Sequence, residues 1–294
     1  MGKAIDKIKN IKIVKTLSNI GKIEDLRQRI LVTLMLVAVY RFGSYVVLPG
    51  IDTEALSGFQ NQTGTGLMSL LYMFSGGAFS KASIFALGIM PYISASIVMQ
   101  LLGIAVPYFQ KMQREGESGR RKMNQYTRYL TIFILLLQAP SYLLNLKWQN
   151  GGLNPMHESL DWTWFVVSST IILTAGSMFV LWLGERITDK GIGNGISLII
   201  MIGIIARFPQ AFIQEFTTRF TTPGQGGLIV FLVEIVVLLA VIASAILLVQ
   251  GVRRVPVQYA KKVVGNRQIG GARQYIPLKP YAANVMPIIF AQAI

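Results

Sequence analysis

Between Leu67 and Leu102 the chain reads LMSLLYMFSGGAFSKASIFALGIMPYISASIVMQLL, an apolar run broken near its start. Its first piece, Gly66 to Phe79, holds 14 residues. At a helical rise of about 1.5 Å per residue it reaches about 21 Å, short of a hydrocarbon core of about 30 Å. Such a piece enters a bilayer without crossing it. Gly76-Gly77 and Ser80-Lys81 interrupt it, and the second piece, 82–106, is long enough to cross. Backbone broken at membrane depth survives only where protein or a water-filled cavity satisfies its polar groups. The pattern therefore predicts a half-helix feeding a span beside a cavity.

Composition agrees with a polytopic membrane chain, since mean hydropathy is +0.51 and only 14% of residues are charged. Cysteine is absent, which excludes disulfide frameworks, thiol catalysis and Cys-based metal sites. The one histidine, His157, sits beside Glu158 without a second candidate ligand, and neither HExxH nor GxSxG occurs. We therefore expect neither an enzyme nor a bound cofactor or metal.

Apolar segments lie near 31–48, 82–106, 129–146, 162–184, 192–213 and 228–250, with a seventh begun at Tyr281. Residues 1–30 carry eight basic residues against three acids, 107–128 six against two, and 251–280 seven against none. The intervening connections 49–81 and 147–161 each carry one cation against two acids. Under the positive-inside rule the basic connections are cytoplasmic, and 185–191 joins them by alternation. The first 29 residues lack a signal-peptide core and read either as an amphipathic helix on the cytoplasmic face, in contact with anionic lipid, or as a basic leader that only sets topology. Arg41 and Glu234 fall inside apolar segments, where each would cost roughly 2.5–3.5 kcal/mol at a helix centre, so each should face protein, water or an interface.

Three connections carry further signals. REGESGRRKMNQYTRY (114–129) reads as a charged turn. GERITDKGIGNGISLII (184–200) has phosphate-loop glycine spacing, but it joins two apolar helices without the strand of a dinucleotide fold, so a tight turn served by Asn194 and Ser197 is expected. The long connection 251–280 alternates around Val255, Val257 and Tyr259 and reads as a projecting hairpin. Cations without acids suit a polyanion, although topology alone would also place them there.

Five blocks then resemble the SecY family of bacterial protein-conducting channels: RFGSYVVLPGID (41–52), MFSGGAFSKASIFALGIMPYISASIVMQLL (73–102), EGESGRRKMNQYTRY (115–129), WLGERITDKGIGNGIS (182–197) and LKPYAANVMPIIFA (278–291). The resemblance implies an all-α polytopic bundle of two pseudo-symmetric halves around an hourglass pore, closed by a re-entrant plug. Residues 1–29 would be the cytoplasmic leader, 30–213 the first half with its plug, and 214–294 the start of the second. Family members continue through three more helices and a second docking loop, so 1–294 alone is not expected to translocate protein.

By the same resemblance the plug is 66–79, with Leu67, Leu70, Met73, Phe74, Gly76, Gly77 and Phe79. The aliphatic pore ring falls on Ile89, Ile93, Ile196, Ile200 and Ile289, and the four-residue spacing of the first two pairs puts each on one helical face. Gln100 is the lateral-gate candidate, and Pro91 could kink its helix at the pore or simply be tolerated there. Arg253, Arg254, Lys261, Lys262 and Arg267 would dock a ribosome or the SecA motor ATPase. Two positions depart from the family pattern, Asn266 where a basic residue is usual and Asn284 where a small one is. The implied function is passage of unfolded polypeptides across the cytoplasmic membrane and lateral release of transmembrane segments, with signal peptides and nascent chains as clients and SecE-like and SecG-like subunits as partners. A secondary transporter with a broken helix at a central site is the competing reading, and a membrane-anchored ribosome-binding module would need only the basic loops.

Overall fold

A computed structural model describes residues 23–51, 77–79, 81–149, 161–221, 227–258, 262–264, 267–269 and 273–279. The chain divides into two compact units, Met1–Pro209 and Gln210–Ile294.

In the first unit, α1 (Glu24–Gly43) opens with Glu24 and Asp25 and closes with Arg41, charges that oppose the helix dipole at each end. The apolar segment expected over 31–48 does not stay helical throughout. Ser44 turns its hydroxyl back to the Tyr40 carbonyl at 2.9 Å, and the following residues run extended. There Ile84 donates to the Val46 carbonyl and Leu48 to that of Ala82, both at 2.9 Å, which makes an antiparallel bridge between Val47 and Ser83.

That bridge corrects the expected span at 82–106. Residues 82–89 form consecutive turns, and the helix α2 occupies only Met90–Ala105. Pro91 lies in its first turn, where a missing N–H costs nothing, so it starts the helix rather than kinking it. A second proline starts α3 (Pro107–Arg114), bent 99° from α2 at Val106. The charged stretch expected as a turn over 114–129 is mostly helix, because α4 begins at Glu117 and runs to Gln149, leaving only Glu115 and Gly116 (φ 74°) to reverse the chain. Next come α5 (Trp162–Lys190) and α6 (Gly195–Ile205).

Two apolar clusters hold this unit together. Leu48, Phe79, Ala82, Ala86, Ala139, Tyr142, Leu143, Leu146, Phe165 and Leu173 form one, joining α4, α5 and the turns at 79–86. Tyr40, Phe85, Ile89, Val180, Leu183, Ile187 and Ile199 form the other, joining α1, α2, α5 and α6. Gly176 on α5 abuts the Ile84 backbone so closely that a Cβ there would strike its carbonyl. Arg128 on α4 reaches Glu185 on α5 at 2.6 Å, a half-exposed pair contributing up to about 1 kcal/mol.

In the second unit, α7 (Phe208–Thr221), which belongs to it from Gln210 on, and α8 (Gly227–Gln250) pack through Phe212, Phe216 and Phe231. Glu234 faces protein: its carboxylate meets the guanidinium of Arg219, which also holds Glu215 at 2.8 Å. Most of α8 is otherwise open, as suits a helix whose solvent is lipid. Among the described residues four stretches, α4, α5, Gly195–Phe220 and α8, are long and apolar enough to cross a membrane, or five if the bent α2–α3 pair counts as one span.

Beyond α8 the basic connection forms an antiparallel ribbon. Strand β1 (Arg253–Gln258) pairs with β4 (Arg273–Leu278), and β2 (Lys262–Val264) with β3 (Arg267–Ile269).

Candidate functional site

The four described members of the pore-ring candidate, Ile89, Ile93, Ile196 and Ile200, gather in one apolar cluster. Ile89, at 7% exposure, is fully packed, and the other three lie partly open at its border. Ile89 caps the N-terminus of α2 instead of sitting within the helix, so it and Ile93 are joined by the first backbone bond of the turn, Ile93 N–H to Ile89 C=O at 3.1 Å. Ile289 lies outside the described residues.

What brings the α6 pair to this cluster is the close crossing of α5 and α6. Gly195 lies against the Gly184 carbonyl and Ile187, with no room for a Cβ, and a Cβ on Gly184 would meet Ile196 at 3.1 Å. The turn ahead of the crossing is built from polar side chains. Asn194 accepts from the backbone N–H groups of Ile196 and Ser197 at 3.1 and 3.2 Å, capping α6. Thr188 accepts from Gly195 at 2.9 Å, and Thr33 on α1 accepts from Ile192 at 3.2 Å. The sequence pointed to Asn194. It did not reveal Thr33, because that partner lies 159 residues away. Ser197 serves the turn through its backbone N–H, which goes to Asn194. Along α6 an open apolar hollow is lined by Ser197, Ile200, Met201, Ile204 and Ile205.

The chain enters this region from Gly77, whose φ of 86° is unsuited to a side chain. Of the plug residues, Leu67, Leu70, Met73, Phe74 and Gly76 lie outside the described residues, while Gly77 and Phe79 are buried. The Phe79 carbonyl accepts from the Tyr142 hydroxyl at 2.7 Å. Gln100, the gate candidate, is partly buried and donates to Ser96, one turn before it, at 3.3 Å. Arg41 places one guanidinium nitrogen 3.5 Å from the Tyr45 hydroxyl, and Lys81 stands over the Tyr45 ring at 3.9 Å.

On the ribbon, Arg253 faces Leu278 and Arg254 faces Pro277. Side chains of adjacent strand residues point to opposite faces, so the two exposed arginines do not share one surface. Lys262 and Arg267 belong to the tip pair β2–β3, and Lys261 lies outside the described residues.

Comparison with known proteins adds three kinds of likeness. A SecY family model matches residues 83–294. The protein translocase subunit SecY of Corynebacterium glutamicum is 42% identical over 275 residues, covering 92% of this chain and 61% of its own. That of Thermus thermophilus is 42% identical over 275 residues, covering 93% of this chain and 62% of its own. Among solved structures, a protein-conducting channel superposes with a TM-score of 0.56 at 18% identity, over 91% of this chain and 56% of that one. Sec61 of the canine ribosome–channel complex gives 0.54 at 18%, with the same coverage, and both speak for the fold alone. The chain spans less than two thirds of the length of these relatives.

Proposed function

The chain belongs to the SecY family, and from that premise we propose that it forms one side of a protein-conducting pore in the cytoplasmic membrane. Unfolded polypeptides would cross through this pore, and apolar segments would leave it sideways into lipid. The observation that carries this reading is the convergence of Ile89, Ile93, Ile196 and Ile200 from two separate helices into one apolar cluster. A dry aliphatic constriction excludes water and ions by dewetting and offers a passing chain no fixed polar partner. In the family this role belongs to a channel subunit rather than an enzyme. Residues 66–79 would be the plug and Gln100 a gate residue, its amide donating to Ser96 on its own helix.

The competing transporter reading needs buried charge at a central site. Glu234 is engaged by Arg219 within the α7–α8 pair, which favours the channel. A photo-crosslinking side chain at position 93 or 200 of the full-length protein is expected to capture a translocating precursor in vesicles. Translocation without capture at either position would exclude the pore assignment.

The ribbon would project into the cytoplasm with the N-terminus and dock a ribosome or the SecA motor ATPase. Other partners would be SecE-like and SecG-like subunits, signal peptides and nascent chains, and anionic lipid along the basic leader. Because Arg253 and Arg254 face opposite ways, charge reversal at one should weaken ribosome binding more than at the other. The salt slope should fall by about one for each phosphate that is no longer neutralised. Equal affinity of both variants and wild type across salt concentrations would leave the ribbon a topological signal only.

A further inference from the structure

Tyr142 is a buried residue of α4, and neither the pore ring nor the docking ribbon uses it. Its ring packs against Phe79 with centroids 4.7 Å apart, and its hydroxyl donates to the Phe79 carbonyl at 2.7 Å. A buried hydroxyl costs stability unless it finds a partner. Here the partner is main chain at the last residue of the plug candidate. The same carbonyl accepts from the Ala82 N–H at 3.3 Å, and the Ala78 carbonyl accepts from Ser83 at 3.1 Å. Ala82 is wholly buried at φ 45°, a conformation an L-residue keeps only when its surroundings impose it. The surroundings do so from three sides: Tyr142 on α4, the bridge to Val46 and Leu48, and the backbone contact of Ile84 with Gly176 on α5.

We propose that Tyr142 is a positioning residue that fastens the chain at Phe79, the last residue of the plug candidate, to α4, so that residues 77–79 and 81–83 belong to the fixed frame of the pore. This rests on the assignment of 66–79 as plug.

The test is Tyr142→Phe in the full-length protein reconstituted in vesicles, which keeps the ring and removes the donor. Amide hydrogens of Ala82, Ser83 and Ile84 should exchange about fivefold faster, the factor for one net hydrogen bond, while α5 amides keep their protection. Resting ion conductance should rise by a comparable factor. Unchanged exchange at 82–84, or equal loss throughout α5, would overturn the anchor. Faster exchange with unchanged conductance would overturn its bearing on the plug. Wild-type vesicles that fail to translocate would defeat the channel reading instead and leave the exchange comparison standing.

Discussion

Replacing Ile93 and Ile200 with asparagine in the full-length protein is expected to raise resting ion conductance by at least about tenfold, the change that follows from lowering the barrier by ~1.4 kcal/mol. Both side chains border the apolar cluster without being sealed inside it. On the proposed pore assignment, a polar group there would hydrate a constriction that would otherwise stay dry. Ile89 and Ile196 should act in the same direction. Ile89 is the less clean probe, because its burial at 7% exposure adds the cost of an unpartnered amide to any change in conductance. Planar-bilayer recording of single and combined variants decides the matter. Conductance equal to wild type in all of them would mean that these four residues are ordinary packing.

A large loss of stability should come from Gly195→Val. Its Cβ would fall on the Gly184 carbonyl oxygen and within 2.7 Å of Ile187 Cβ, and backbone cannot yield as a flexible side chain would. Separating α5 from α6 should cost about 3 kcal/mol or more, the upper part of the range for overpacking. By contrast Asn194→Ala, which removes two accepted hydrogen bonds from the same turn, should cost only about 1 kcal/mol as a lost cap. Thermal unfolding of the purified full-length protein ranks the two. A valine variant as stable as wild type would show that the crossing is looser than the geometry requires. The valine should also raise ion leak, since Ile196 follows directly on the displaced glycine.

Legibility from sequence followed the range of the interactions. Apolar length and charge alternation were local, and they located α4, α5, α8 and the ribbon. The four-residue spacing of the isoleucine pairs placed each on one face, and the structure brought both faces to one cluster. What failed was hydropathy as a guide to where helices begin. Residues 82–89 are as apolar as the helix after them, yet Val46 and Leu48 draw their backbone into a bridge. Nothing within that window signals its partner. The same limit hid Thr33, Tyr142 and the Arg128–Glu185 pair, whose partners lie 159, 63 and 57 residues away. The charged stretch at 117–129 misled in the opposite sense, because abundant Lys, Arg and Glu are good helix formers on a solvated face.

The bridge between Val47 and Ser83 has a kinetic consequence for whatever the intervening residues do. It pins the two ends of that stretch side by side, so the entropy of closing the loop is already met before the stretch takes up any position. On the proposed plug assignment, a stopper between those ends would return to the pore in a unimolecular step governed by a high effective concentration, and the interval of leak after a passage would be set by the tether rather than by a search.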